Sequence, residues 1–239
     1  MHKPNCNRCV SDSCFIHKFV TKEWKKKVNE KRSTLDFKKG EPIFREGDPV
    51  TGIYFIFKGK VKVFNSGIKN RTQIVRFANS GNILGHRGFG KIRVYPIGAA
   101  TLENTTLCFI PADVFVETMN NNSQLAVELV NFYADELRRA EYKLRSLSQM
   151  TVKQKMAEAF LTLGEIYGYA KENDIPFVNV QLSRQEYADI TGASLEEVIR
   201  TISQMKKENL IEISGKKIGI TNTNNLKEML TDYETLRLP

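Results

Sequence analysis

Between Ser123 and Met150 the chain runs for 28 residues without a glycine or a proline. A stretch so long and free of helix breakers leaves little choice but one long helix. Its apolar residues fall at Ala126, Val130, Tyr133, Leu137, Ala140, Leu144 and Leu147, with gaps that alternate between four and three. That alternation is the seam of a two-stranded coiled coil. A helix that only lays its stripe on its own domain needs no such regularity, so the spacing points to a homodimer about a two-fold axis. Arg138, Arg139 and Glu141 flank the seam, but no charge enters it. The pairing is therefore expected to be sturdy.

The chain ahead of this helix has another rhythm. From Leu35 to about Ile110 short apolar alternations are broken by turn residues. PIFREGDPVTGIYFIFKGKVKVFNSG turns at Gly47-Asp48, Gly52, Gly59 and Gly67, QIVRFANSGNILGHRGFG continues the pattern, and GAATLENTTLCFIPADVF closes it. Many short strands with glycines at the turns predict a small β-barrel or roll. Before it, TKEWKKKVNEKR (21–32) reads as a helix around Trp24 with a solvated, lysine-rich face.

Beyond the long helix, residues 151–169 carry Met156, Phe160, Leu163 and Tyr167 on one face and stop near Gly168; KENDIPFVN follows as a loop. In LSRQEYADITGASLEEVIRTISQMKKENL, Ser183 with Glu186 and Ser194 with Glu197 are two successive capping boxes. Thr191-Gly192-Ala193 makes the tight turn between them, where glycine is free to take the left-handed conformation. Tyr187, Ile190, Val198, Ile202 and Met205 pack the two helices together. This is a helix-turn-helix, whose second helix enters the DNA major groove by its N-terminal residues. Glu196 and Arg200, four apart, share the face opposite Val198 and Ile202. Arginine forks to guanine O6 and N7, and glutamate accepts from cytosine N4. LIEISGKKIGITN then predicts a β-hairpin wing that sets Lys216 and Lys217 against phosphates.

Charge and cysteine usage narrow the class further. The net charge is +9, but residues 1–122 hold 21 Lys and Arg against 10 Asp and Glu, whereas residues 151–239 hold 11 against 13. A DNA-binding domain of net −2 implies weak single-domain affinity and dependence on two half-sites. No apolar run reaches the ~18–20 residues of a membrane span, and the N-terminus lacks the apolar core of a secretory signal. A cytoplasmic protein, with its thiols reduced, is expected. Three of the four cysteines, Cys6, Cys9 and Cys14, form Cys-x2-Cys-x4-Cys at the N-terminus, and Cys108 lies in the last predicted strand. Four thiolates drawn from two segments suit zinc or an iron-sulfur cluster equally by spacing alone. Metal-free redox thiols, or a buried structural Cys108, are the other readings. No phosphate-cradling Gly-x-x-x-x-Gly-Lys, paired His and carboxylate motif or nucleophile elbow occurs, so no enzymatic activity is expected.

The order of β-roll, long helix and winged helix resembles the CRP/FNR family of bacterial transcription regulators over nearly the whole chain. The residues that carry the likeness are GIYFIFKGKVKVF, GNILG and SRQEYADITGASLEEVIRTISQMKKENLI. The resemblance implies an α+β chain in four parts. These are a cysteine-bearing arm (1–20), a sensor β-roll of the double-stranded β-helix type found in cyclic-nucleotide-binding domains (21–122), a dimerisation helix (123–150) and a winged helix-turn-helix (151–239). It also matches Glu196-x3-Arg200 to the family's base-reading pair. The DNA-facing set it implies is Ser183, Arg184, Ser194, Leu195, Glu196, Glu197, Ile199 and Arg200, with Lys216 and Lys217 of the wing. The implied partners are double-stranded DNA with a two-fold symmetric site and RNA polymerase. Leu195 and Ile199 are apolar where related proteins often carry polar readers, which suits contact with thymine methyls.

Within the family, the cyclic-nucleotide branch carries Gly-Glu and, some ten residues on, Arg-Ser. Here those places look like Gly85-His86 and Tyr95-Pro96. Proline offers no N–H and no Arg-Ser pair meets the phosphate, so cyclic AMP is not expected. The FNR branch carries three N-terminal cysteines and one in the strand before the dimer helix, which together bind a 4Fe-4S iron-sulfur cluster. Cys6, Cys9, Cys14 and Cys108 match that pattern, with a third gap of four residues where five is usual. The resemblance therefore implies sensing of oxygen or nitric oxide through the cluster. The alternative is a regulator of the same fold sensing heme, nitric oxide or a small effector in the β-roll, with zinc or redox thiols at the cysteines. His2, His17 and His86 are its candidate heme ligands, and Arg87 and Arg93 its candidate anion contacts.

Overall fold

The computed structural model describes residues 5, 6, 9, 13–68 and 71–234. The chain forms two compact units, residues 1–68 with 76–135, and residues 69–75 with 136–239.

The first unit opens with helices α1 (Phe15–Phe19) and α2 (Lys22–Lys31). Strands β1 (Ser33–Phe37), β2 (Pro42–Phe44), β3 (Gly52–Lys58), β4 (Val61–Ser66), β5 (Thr72–Ala78), β6 (Ile83–Leu84), β7 (Gly98–Thr101) and β8 (Thr105–Pro111) follow. They make two four-stranded sheets, ordered β1-β8-β3-β6 and β2-β7-β4-β5, which is the expected β-roll. Its interior is aromatic. Tyr95 stacks on Phe44 at 4.3 Å between ring centroids, and Tyr54 lies against both Phe44 and Phe109. Tyr95 is buried and donates its hydroxyl to the Gly52 carbonyl at 2.7 Å. Tyr95→Phe strands that buried carbonyl. A loss of about 1–3 kcal/mol is expected in denaturant unfolding of the variant.

The β3–β8 pair is buried on both faces, because side chains alternate along a strand. Leu107 and Phe109 point into the roll. Phe55, opposite Cys108 in the register, faces the other way with Ile53 and Ile110. There it joins one apolar cluster with Ile16, Val20, Trp24, Val28, Phe115, Leu125 and Leu129. Trp24 and Val28 are the buried face of α2, and its lysines lie outside, Lys27 sitting over the Trp24 ring at 4.0 Å. Two helices of this unit escaped the sequence reading. These are α1, inside the cysteine arm, and α3 (Ala112–Asn120), where PADVF read as the end of the β-domain.

Helix α4 (Ser123–Gln149) is continuous and belongs to both units. Leu125 and Leu129 are buried, whereas Val130, Leu137 and Leu144 are 67%, 61% and 69% exposed. Ala140 is exposed and Ala126 and Leu147 are half-buried. The expected seam is therefore largely bare, with one correction. Tyr133 is turned partly onto its own β-roll, where its hydroxyl donates to the His86 carbonyl at 2.6 Å.

The second unit continues with α5 (Val152–Tyr167), which Thr151 starts with a complete capping box to Gln154. The expected loop after it is a hairpin, β9 (Tyr169–Glu172) and β10 (Ile175–Val178). Asn173 and Asp174 make its two-residue turn at φ of 48° and 62°. Helices α6 (Arg184–Thr191) and α7 (Leu195–Lys207) form the helix-turn-helix, and Gly192 between them has φ 65°. Strands β11 (Ile211–Ser214) and β12 (Lys217–Ile220) complete a sheet ordered β11-β12-β10-β9, and α8 (Thr223–Glu228) packs after it.

Candidate functional site

Two places concentrate chemistry, the exposed face of α7 and the surroundings of Cys108. Helix α7 starts at Ser194, whose side chain accepts from the Glu197 backbone N–H at 3.2 Å. Only that half of the expected capping box forms; the Ser183 box is complete. Val198, Ile202 and Met205 are buried, and Tyr187 of α6 meets Phe160 of α5 edge-to-face at 5.4 Å. This packing leaves Leu195, Glu196, Ile199 and Arg200 outward on the first two turns. Among the described residues, neither Glu196 nor Arg200 spends its charge on an ion pair, so both are free for base edges.

Three other residues of the expected DNA-facing set are engaged or partly enclosed within their own domain. The Ser183 hydroxyl is consumed by Glu186, accepting from its N–H and donating to its carboxylate at 3.0 Å. Arg184 is half-buried, with Nη1 enclosed. Lys217 does not stand at the wing tip; it lies on β12 and pairs with Glu172 of β9. The register Ser214↔Lys217 leaves Gly215-Lys216 as the turn, and Lys216 is exposed there.

In the first unit, Cys6 and Cys14 belong to the apolar cluster on the outer face of β3–β8, and Cys9 and Cys108 pack against it, partly buried. The arm is held by α2. Asn29 accepts from the Cys6 N–H at 2.9 Å and from Arg32 Nε at 3.0 Å, and donates to Asn5. Arg32 Nη1 also donates to Thr34 and points at Cys108 Sγ, 3.9 Å away. His17 Nδ1 lies 3.1 Å from the Cys6 carbonyl. Asn29 and Arg32 thus bracket the two halves of the cysteine set. The sequence reading missed both, because their partners lie far away in the chain.

Three of the four thiols are shifted toward the protonated form. Burial pushes Cys6 up, against the opposing charge of Arg32. Cys14 is pushed up by its hydrogen bond with Cys9 and then by burial. Burial raises Cys108 to about 11, with Arg32 again opposing. Such thiols are poor nucleophiles, because only the thiolate attacks. In the metal-free protein, alkylation of Cys108 is expected to be slow at pH 8 and to climb only toward pH 11. Arg32→Ala, which removes the charge that favours the thiolate, should move that climb to higher pH. Reaction rates with iodoacetamide across pH measure both.

A cyclic nucleotide-binding domain model matches residues 34–122, and a Crp-like helix-turn-helix domain model matches residues 154–229. The chain is 27% identical over 192 residues to the transcriptional activator protein anr of Pseudomonas aeruginosa, covering 79% of this chain and 77% of that protein. It is 22% identical to the anaerobic regulatory protein of Haemophilus influenzae over 97% of this chain and 90% of the relative. The structure of FixK2 from Bradyrhizobium japonicum superposes with a TM-score of 0.72 at 23% identity, over 83% of this chain and 96% of that one.

The chain belongs to the CRP/FNR family of transcription regulators.

It is accordingly a DNA-binding regulator built on the CRP-like fold, and no helix of its described residues is long and apolar enough to cross a membrane. The Gly85-His86 and Tyr95-Pro96 places are close to one another in the roll. A Cβ on Gly85 would come within 3.0 Å of the Tyr95 ring, and His86 is buried edge-on against Phe132 and Tyr133 at 5.0 and 5.6 Å.

Proposed function

We propose that the chain is a homodimeric, sequence-specific regulator that senses oxygen or nitric oxide through a 4Fe-4S cluster held by Cys6, Cys9, Cys14 and Cys108. The observation that supports this reading is that Cys6 and Cys14 lie in one apolar cluster beside α4, with Cys9 and Cys108 packed against it. The donor set is all-thiol, as iron-sulfur clusters require. Zinc would accept the same four thiolates; the likeness to an Anr activator and to anaerobic regulatory proteins favours the cluster. The heme reading is weakened by the packing of His86 and Tyr95; His2 lies outside the described residues. A bound cluster would supply lability to oxidants.

The protein's own part is to couple the arm to α4. Phe15, next to Cys14, packs edge-to-face on Phe132 of α4 at 5.3 Å. The Thr21 N–H, at the head of α2, donates to Asn122 immediately before α4 at 2.9 Å. With the cysteines tied, the arm and α2 brace the first turns of α4. With the ties released, Phe15 and Ile16 are free to leave, and the equilibrium of α4 positions shifts. DNA binding by a dimer reads that shift, because two α7 helices must sit about one DNA turn apart, ~34 Å.

Anaerobic purification tests the reading. Visible absorbance from sulfur-to-iron charge transfer, with iron and acid-labile sulfide in equal amounts, is expected, together with loss of both on Cys108→Ala. Zinc without iron in protein purified without air would overturn it.

A further inference from the structure

We propose that Leu195 and Ile199 read thymine methyl groups, so that each half-site carries thymines beside the base pair recognised by Glu196 and Arg200. The reading rests on the DNA-binding function of this helix-turn-helix. Among the described residues of the domain from Thr151 onward, the exposed large hydrophobics are Tyr169, Leu195 and Ile199. Two of these three stand on one face of one helix, 40% and 47% exposed.

Their position selects the partner. Leu195 and Ile199 are four apart, as are Glu196 and Arg200, so an apolar row and a charged row run side by side along the first two turns of α7. The buried face of Val198, Thr201, Ile202 and Met205 already seats the helix on its own domain, so neither apolar side chain is needed for folding. The N-terminal half of a recognition helix faces base edges in the major groove. There the C5 methyl of thymine is the apolar feature on offer; the other base-edge groups are hydrogen-bond donors and acceptors.

Leucine and isoleucine also discriminate by exclusion. Pressed against guanine O6 or cytosine N4, they would remove water from a polar group and give no hydrogen bond back. Thymine alone gains contact without that loss. The charged row would fix one base pair by hydrogen bonds while the apolar row selects its neighbours by their methyls.

Deoxyuridine differs from thymidine only by the C5 methyl and makes a test on the unaltered protein. Selection from a random duplex pool by the full-length, anaerobically prepared protein should enrich thymines next to the invariant base pair. Replacing one such thymine by deoxyuridine should weaken binding about fourfold, the worth of one buried CH2-sized group. For Leu195→Ala the same replacement at one position should have no effect, and for Ile199→Ala at the other. Equal affinity of the native protein for thymine and uracil duplexes overturns the proposal, as do alanine variants that keep the full thymine preference. Failure to retain any duplex would instead overturn the DNA-binding reading, and the proposal with it.

Discussion

Arg200→Ala is expected to abolish site preference while leaving the protein folded. The side chain is exposed on α7, carries no ion pair among the described residues and is not part of the buried face. A bidentate arginine–guanine contact is worth about 1–3 kcal/mol of discrimination. A dimer would have two of them, so the ratio of specific to random DNA binding should fall by about 30-fold to 10⁴-fold. Competition binding at fixed salt measures this, since phosphate contacts set a background that changes with salt. Lys216→Ala, at the wing tip, should weaken specific and random duplexes alike and reduce the salt dependence. Unchanged footprints for Arg200→Ala would mean that another surface reads the bases.

The second large effect is expected at the bare stripe of α4. Leu144→Glu places a carboxylate on the stripe of each chain, where a symmetric seam brings the two together. Desolvation and like-charge repulsion then oppose association. The protein should sediment as a monomer and lose most of its DNA affinity, because each half-site then binds without the benefit of the other. Exposure of the native protein to air gives the contrasting expectation. DNA affinity is expected to fall while sedimentation remains that of a dimer, since the exposed stripe of Val130, Leu137 and Leu144 carries no charge that would loosen a seam. Clean conversion to monomer in air would show that the arm, rather than the stripe, holds the dimer together.

What was legible in the sequence follows the range of the interactions. The helix-turn-helix could be read because its signals are local: a serine cap, a partner three residues on, and a glycine in the turn. The β-roll was legible from alternation and turn residues, and α4 from the absence of helix breakers. The hairpin β9–β10 was hidden because Pro176 sits within one short strand, which argues against a strand unless it is near an edge. Asn173-Asp174 was a usable turn signal. Helix α3 was hidden because Val114 and Val116 extend the alternation of the strand before it. The bracket of Asn29 and Arg32 had no signal at all. Its partners Cys6 and Cys108 lie 23 and 76 residues away, and only folding brings them to the end of α2. The pairing of Lys217 with Glu172, 45 residues away, had no local signal for the same reason.

The division between the two compact units falls inside α4, between Asp135 and Glu136. That placement has a thermodynamic consequence. Were either unit to melt alone, it would strip the packing from roughly half of an unbroken helix, and an isolated segment of about a dozen residues is marginal in water. Melting of one unit is therefore expected to fray its own half of α4, while the half packed on the other unit holds.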